Sequence, residues 1–157
     1  VRRRVAADHG GAMTPRQGAL VQGCWRRVQP IADKAAELFY MRLFSLEPSV
    51  RRLFKGDMAE QGRKLMSMIS VAVNSLARLE TIVPAVRALG RRHAGYGVQK
   101  HHYTVVEAAL IWTLAQGLGE KFTGETEEAW RTAYRVLAAT MQSNPEEKNH
   151  AGQPAVS

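Results

Sequence analysis

Gln61-Gly62-Arg63-Lys64-Leu65-Met66-Ser67-Met68-Ile69-Ser70-Val71-Ala72-Val73-Asn74-Ser75-Leu76 carries the clearest periodicity in the chain. Leu65, Met68, Ile69, Ala72, Val73 and Leu76 fall at steps of three and four, the spacing of a helix face, and no period-two alternation competes with it. The same period extends in both directions. Upstream, Thr14-Pro15-Arg16-Gln17 reads as an N-cap, a first-turn proline and a glutamine placed to close a capping box. The stripe Val21, Cys24, Trp25, Val28 follows and runs to Pro30. Ile31, Ala35, Leu38, Phe39 and Leu43 form the next helix. Pro48 opens a short helical turn ending at Phe54, and residues 55–59 read as loop.

Downstream, Pro84 starts a helix holding Val86, Leu89 and Arg92-His93, closed by Gly95 and Gly97. Tyr103, Val106, Ala109, Leu110, Thr113 and Leu114 give another stripe. Thr123 caps the last helix, with Trp130, Ala133, Tyr134, Leu137 and Met141 facing inward. This predicts an all-α domain of about seven to eight helices over residues 13–143. The short pieces near 48–54 and 84–94 argue for helices crossed around a pocket rather than a uniform bundle. Residues 1–12 and 144–157 lack a stripe and are expected to be disordered tails, the first of them basic.

A chain of 157 residues, 45% of them hydrophobic and 23% charged, suits one globular domain with a sizeable core. Its single cysteine, Cys24, excludes a disulfide framework and a multi-cysteine zinc site. No apolar run approaches membrane-spanning length, and no charged n-region leads into an apolar h-region. The expectation is a cytoplasmic protein with no membrane partner. The 22 Lys and Arg exceed the 14 Asp and Glu, giving a net charge of +8. The excess lies in scattered pairs such as Arg26-Arg27, Arg51-Arg52 and Arg91-Arg92. Solvated helix faces explain that pattern, and no nucleic-acid partner is expected.

Three residues stand out chemically. His93 lies four after Leu89 on one helix face, just before a double-glycine break. It has no His, Cys or carboxylate at i+3 or i+4, so it cannot anchor zinc, which needs three or four protein ligands. A lone histidine does suit iron already held by the four nitrogens of a haem. Tyr40 sits in an apolar helix, and Gln61 sits one turn before Leu65 at the edge of the strongest stripe. Taken singly, a boundary tyrosine and a solvated glutamine explain them. Both can donate hydrogen bonds to a buried, polarised ligand.

Longer fragments then converge. Trp25 lies in the first helix. Pro48 and Phe54 are six residues apart after Leu46-Glu47. Gln61-Gly62-Arg63-Lys64-Leu65-Met66 opens the central helix. Leu89-Gly90-Arg91-Arg92-His93 precedes Gly97-Val98, and Phe122-Thr123 leads to Trp130 and Tyr134. Over about residues 14–142 the chain resembles the globin family, specifically single-domain bacterial haemoglobins of the neuroglobin-like and flavohaemoglobin-like branch. The resemblance implies haem b as cofactor and His93 as its axial iron ligand. It implies that Phe54 stacks on the haem, that Leu65 packs on the distal face, and that Gln61 and Tyr40 face the bound ligand. Lys64 and Arg92 (or Arg91) would reach haem propionates, Leu89 and Val98 would line the proximal pocket, and Tyr103 would match a proximal tyrosine of flavohaemoglobins. The chain departs from flavohaemoglobins where they place a glutamate late in the last helix: Pro145 stands there, with Glu146 one position off.

The implied ligands are dioxygen, nitric oxide and carbon monoxide. Two donors in a dry pocket would stabilise a ligand bearing partial negative charge, so the expectation is tight oxygen binding with slow release. That favours scavenging or nitric oxide dioxygenation over bulk oxygen transport. No G-x-G-x-x-G occurs in the chain, so electrons are expected from an external reductase. A monomer or weak dimer is expected. The alternative is a six-coordinate haem-based gas or redox sensor or electron-transfer protein, with Lys64 or Tyr40 as sixth ligand. A haem-free helical module binding an anionic partner is the remaining alternative.

Overall fold

A computed structural model of the protein describes residues 13–143; the expectations for the two tails lie outside them. Six α-helices occur among the described residues: α1 (Pro15–Val28), α2 (Ala32–Leu46), α3 (Met58–Asn74), α4 (Val83–Gly95), α5 (Lys100–Leu118) and α6 (Gly124–Gln142). Short 3-10 turns cover Gln29–Ile31, Pro48–Leu53, Leu76–Thr81 and Gly119–Lys121. Counting the Pro48 turn with the α-helices gives the expected seven, and no strand occurs among the described residues. The helix at Pro84 is not a short piece, since at 13 residues it nearly matches α1 at 14.

The ends are set by local chemistry. Thr14 Oγ1 accepts from Gln17 N at 3.0 Å while Gln17 Oε1 accepts from Thr14 N at 3.0 Å, the expected reciprocal box. Asp57 caps α3 by accepting from Ala59 N, and Thr123 caps α6 by accepting from Thr126 N. Each cap satisfies an amide that the helix itself cannot.

The main core lies where α1, α3, α5 and α6 meet. Trp25 and Trp130 pack there with ring centroids 6.0 Å apart, beside Val21, Val28, Met66, Val73 and Leu114. Trp25 Nε1 donates to Ser70 Oγ at 2.8 Å, so the buried indole keeps its hydrogen bond. Cys24 is buried in this core, and burial pushes its thiol up to about 11. Between α5 and α6, the buried Glu107 accepts from Arg131 at 2.9 Å and pairs with Arg135 at 3.0 Å. The Tyr134 hydroxyl donates to the Tyr103 carbonyl at 2.6 Å.

Two glycines set helix separations. A Cβ on Gly62 would stand 2.9 Å from Ala36 Cβ, so α3 crosses α2 at close range. A Cβ on Gly90 would lie 2.1 Å from the backbone oxygen of Met141, so α4 rests almost directly on the last turn of α6. Gly90 is also the buried residue of α4. Gly90→Ala must therefore lift α4 from α6. It is expected to cost about 1–3 kcal/mol in urea unfolding, the usual penalty of overpacking. Gly95→Ala meets nothing within 4 Å and should leave stability unchanged or slightly raised. Equal losses for the two variants would refute the close-approach account.

Candidate functional site

Helix α3 carries two apolar faces. Gly62, Met66 and Val73 are buried against α1 and α2. Leu65, Met68 and Ala72 follow Gln61 at steps of four, three and four, and so share its face. That second face is not packed away: Leu65 and Ala72 are half-buried, and Met68 is 42% exposed. The expected inward stripe therefore mixed two faces, and the tight contact runs through Gly62 and Met66 instead of Met68. Helix α4 shows the same asymmetry. Val86, Leu89 and His93 share one face at steps of three and four, and each is only half-buried. Among the described residues, α3 packs on α1 and α2, α4 packs on α6, and no extensive packing joins α3 to α4.

Beside Gln61 lies a second apolar cluster. Phe39, Tyr40, Leu43, Val50 and Ala109 are buried, and Phe44, Leu53, Phe54, Met58, Leu65, Val105, Val106 and Leu110 surround them half-covered. Tyr40 is 7% exposed, not a boundary residue. Its ring meets Phe39, Phe44 and Phe54 at centroid distances of 5.0, 5.9 and 5.3 Å. Gln61 Nε2 donates to the Tyr40 hydroxyl oxygen at 3.3 Å. Because Tyr40 accepts this bond, its own hydroxyl proton stays available, as does the second amide proton of Gln61. Burial raises the Tyr40 pKa and outweighs the Gln61 hydrogen bond, which lowers it. The phenol therefore stays protonated, as a donor must.

His93 presents a different chemistry. Its Nδ1 lies 3.0 Å from the Leu89 carbonyl oxygen, one turn back along α4. A carbonyl can only accept, so Nδ1 carries the proton and Nε2 keeps a free lone pair. Burial lowers the His93 pKa, opposed by the Leu89 hydrogen bond and assisted by the charge of Arg92. A neutral ring with a fixed tautomer and one available nitrogen is what a metal ligand requires.

The remaining expected residues divide. Phe54 and Leu65 join the Tyr40 cluster. Leu89 anchors His93 through its carbonyl. Val98 N donates to the His93 carbonyl at 3.0 Å, folding the exit of α4 back on its last turn. Val98 and Tyr103 border an open cleft of about 520 Å³ where Gly90 and Ala94 meet the end of α6. Lys64 and Arg92 are exposed. Two contributors went unread in the sequence. Phe44 stands one turn beyond Tyr40, with its ring 5.7 Å from Phe54. Leu53 lies 3.6 Å from where a Cβ on Gly97 would be, joining the Pro48 turn to the exit of α4.

A flat, largely apolar group with one metal coordination position fits this arrangement. Apolar faces on two helices stay only partly covered, a histidine offers one nitrogen, and polar donors gather in an aromatic cluster. These features define a helical haem-binding protein. The Globin family model matches residues 37–141, and the chain belongs to the globin family. Haem is accordingly its cofactor, and small gases are its ligand class. The chain is 27% identical over 143 residues to Neuroglobin-2 of Oncorhynchus mykiss, covering 82% of this chain and 90% of that protein. A Flavohemoprotein of Vibrio cholerae is 31% identical over 103 residues, 64% of this chain and 26% of that protein. An engineered carbene transferase and candidate nitric oxide dioxygenase from Rhodothermus marinus superposes with a TM-score of 0.79. It is 25% identical, over 91% of this chain and 99% of that one.

The Tyr40–Gln61 bond can be read by spectrophotometric pH titration. A phenol ionising above the free tyrosine range should disappear in Tyr40→Phe. In Gln61→Leu that step should move higher still, because the lost hydrogen bond is the influence that lowers the pKa. A downward move would contradict the geometry.

Proposed function

We propose that this globin binds haem b through His93 Nε2 and holds dioxygen tightly, releasing it slowly, in the service of oxygen scavenging or nitric oxide dioxygenation. Bound haem would supply the iron that takes a diatomic gas. The carrying observation is the Gln61–Tyr40 hydrogen bond at 3.3 Å inside an aromatic cluster. Phe54 and Leu65 on one side and Leu89 on the other would cover the macrocycle and exclude water. Val98 holds the backbone of His93 at its far end. Lys64 and Arg92, both exposed, would pair with the propionates at the solvent edge. Tyr103 would support the proximal side from α5.

The role of Tyr40 and Gln61 is to hold protons toward a ligand that becomes partly anionic. In a pocket stripped of water such donors act more strongly than in bulk. Dioxygen becomes more polarised than carbon monoxide, so the pair discriminates between them. With haem bound, nitric oxide, dioxygen and one electron from a separate reductase would give nitrate. The description of the Rhodothermus marinus relative supports the nitric oxide reaction, and the name Flavohemoprotein of the Vibrio cholerae relative supports a flavin-linked source of electrons. An open sixth position is supported by the protonated state of Tyr40 and the exposure of Lys64, since neither is poised as an internal ligand.

Stopped-flow release measurements test the donor pair. Each net hydrogen bond is worth about 0.5–1.5 kcal/mol, so losing both should speed oxygen release by about tenfold to a hundredfold. The double variant Tyr40→Phe, Gln61→Leu should change carbon monoxide release far less. Equal acceleration for both gases would sink the proposal. His93→Ala should abolish stoichiometric haem retention while helical circular dichroism persists. A normal, titratable Soret band in that variant would remove His93 from its role.

A further inference from the structure

Away from the haem pocket, Glu47, His101 and His102 bring one carboxylate oxygen and two imidazole nitrogens within 4.8 Å of one another. They come from two parts of the fold. Glu47 follows the last residue of α2, where the backbone turns (φ −142, ψ 82) ahead of Pro48. Its carboxylate accepts from Ser49 Oγ at 2.7 Å, which fixes one oxygen and leaves the other free. His101 and His102 lie in the first turn of α5, with ring centroids 4.2 Å apart. Successive residues of a helix ordinarily point apart, yet here both rings gather beside a carboxylate from another element. His102 is buried, Glu47 half-buried and His101 exposed, so the cluster has a floor and an opening to solvent.

We propose that Glu47, His101 and His102 form a binding site for a single zinc-class divalent ion, with water in the fourth position. One carboxylate and two imidazoles are a borderline donor set that suits Zn2+, and three protein ligands leave one tetrahedral position open. Tetrahedral ligands about 2.0–2.1 Å from zinc stand about 3.3 Å apart. Ion binding therefore requires the side chains to rotate their donor atoms closer than the present spacing of up to 4.8 Å.

The site has a built-in reporter. His102 Nδ1 accepts from the backbone N–H of Gln99 at 2.9 Å, capping α5. A neutral imidazole has a single free lone pair. Whichever nitrogen of His102 takes the ion, the other then carries the proton or the first is occupied, and Gln99 N–H loses its acceptor. Ion binding therefore exchanges a helix cap for a coordination bond.

The inference rests on no reading of the haem pocket, and its test uses the haem-loaded full-length chain with Zn2+ alone. Calorimetry and equilibrium dialysis should find one zinc per chain. Glu47→Gln and His101→Gln keep side-chain size and leave the cap intact. Each should weaken binding by at least about tenfold, the smallest loss usual for disturbing a metal site, with the Soret band unchanged. The Gln99 amide should shift in NMR spectra on zinc addition. Absence of saturable binding overturns the proposal. So does binding that both variants leave intact, which would place the ion elsewhere in the chain. Binding with an unmoved Gln99 amide also overturns it, because His102 would not be a ligand.

Discussion

The close approach of Gly90 to the Met141 backbone is the contact on which the pocket geometry depends. Without a side chain at position 90, α4 settles on α6 and spends its packing there. Gly62 does the same for α3 against Ala36 of α2. Each helix is thus fastened to a different neighbour, and no extensive packing joins the two. Apolar residues left half-covered in this way would ordinarily be a cost, since buried apolar surface is the main source of folding free energy. On the proposed reading, the haem covers them. Occupation by that group then adds to stability by mass action.

Within that frame the polar groups are few and fixed. Nδ1 of His93 is bound to a carbonyl of its own helix, so the ring tautomer is set by the same α4 that Gly90 positions. Tyr40 and Gln61 reach each other from α2 and α3, the two helices whose separation Gly62 sets. The glycine adjacent to Gln61 therefore controls how near the amide comes to the phenol. The side chains with chemistry and the residues that space the helices are neighbours in sequence, so small packing changes reach the site directly.

Much of the fold was legible because caps and periodicity are local. Thr14, Gln17, Pro48, Thr123 and the stripe of α1 announce themselves within a few residues, and the structure follows them. What escaped is non-local. The period of α3 marks it as helical but cannot say which of two apolar faces is packed, and so Met68 was placed inward. Gly62 and Gly90 look like weak helix formers until their partners, Ala36 and Met141, are known to cross them. Tyr40 and Gln61 are 21 residues apart, and nothing in either helix predicts their meeting. Only the resemblance paired them. Phe44 went unread, although its place one turn beyond Tyr40 is a signal that could have found it. Glu47 with His101 and His102 was not visible at all, since the two segments are far apart in the chain and meet only in the fold.

Cys24 has a consequence for a protein that handles reactive gases. Its thiol is buried beneath the Trp25–Trp130 pair and ionises near 11, so at neutral pH about one molecule in ten thousand carries a thiolate. Thiolates are the form that oxidants attack. The single thiol of the chain is therefore a poor target for peroxide or a nitrosating species at neutral pH. Oxidising equivalents that reach the protein shell meet exposed thioethers such as Met41 and Met68 before they meet the buried thiol.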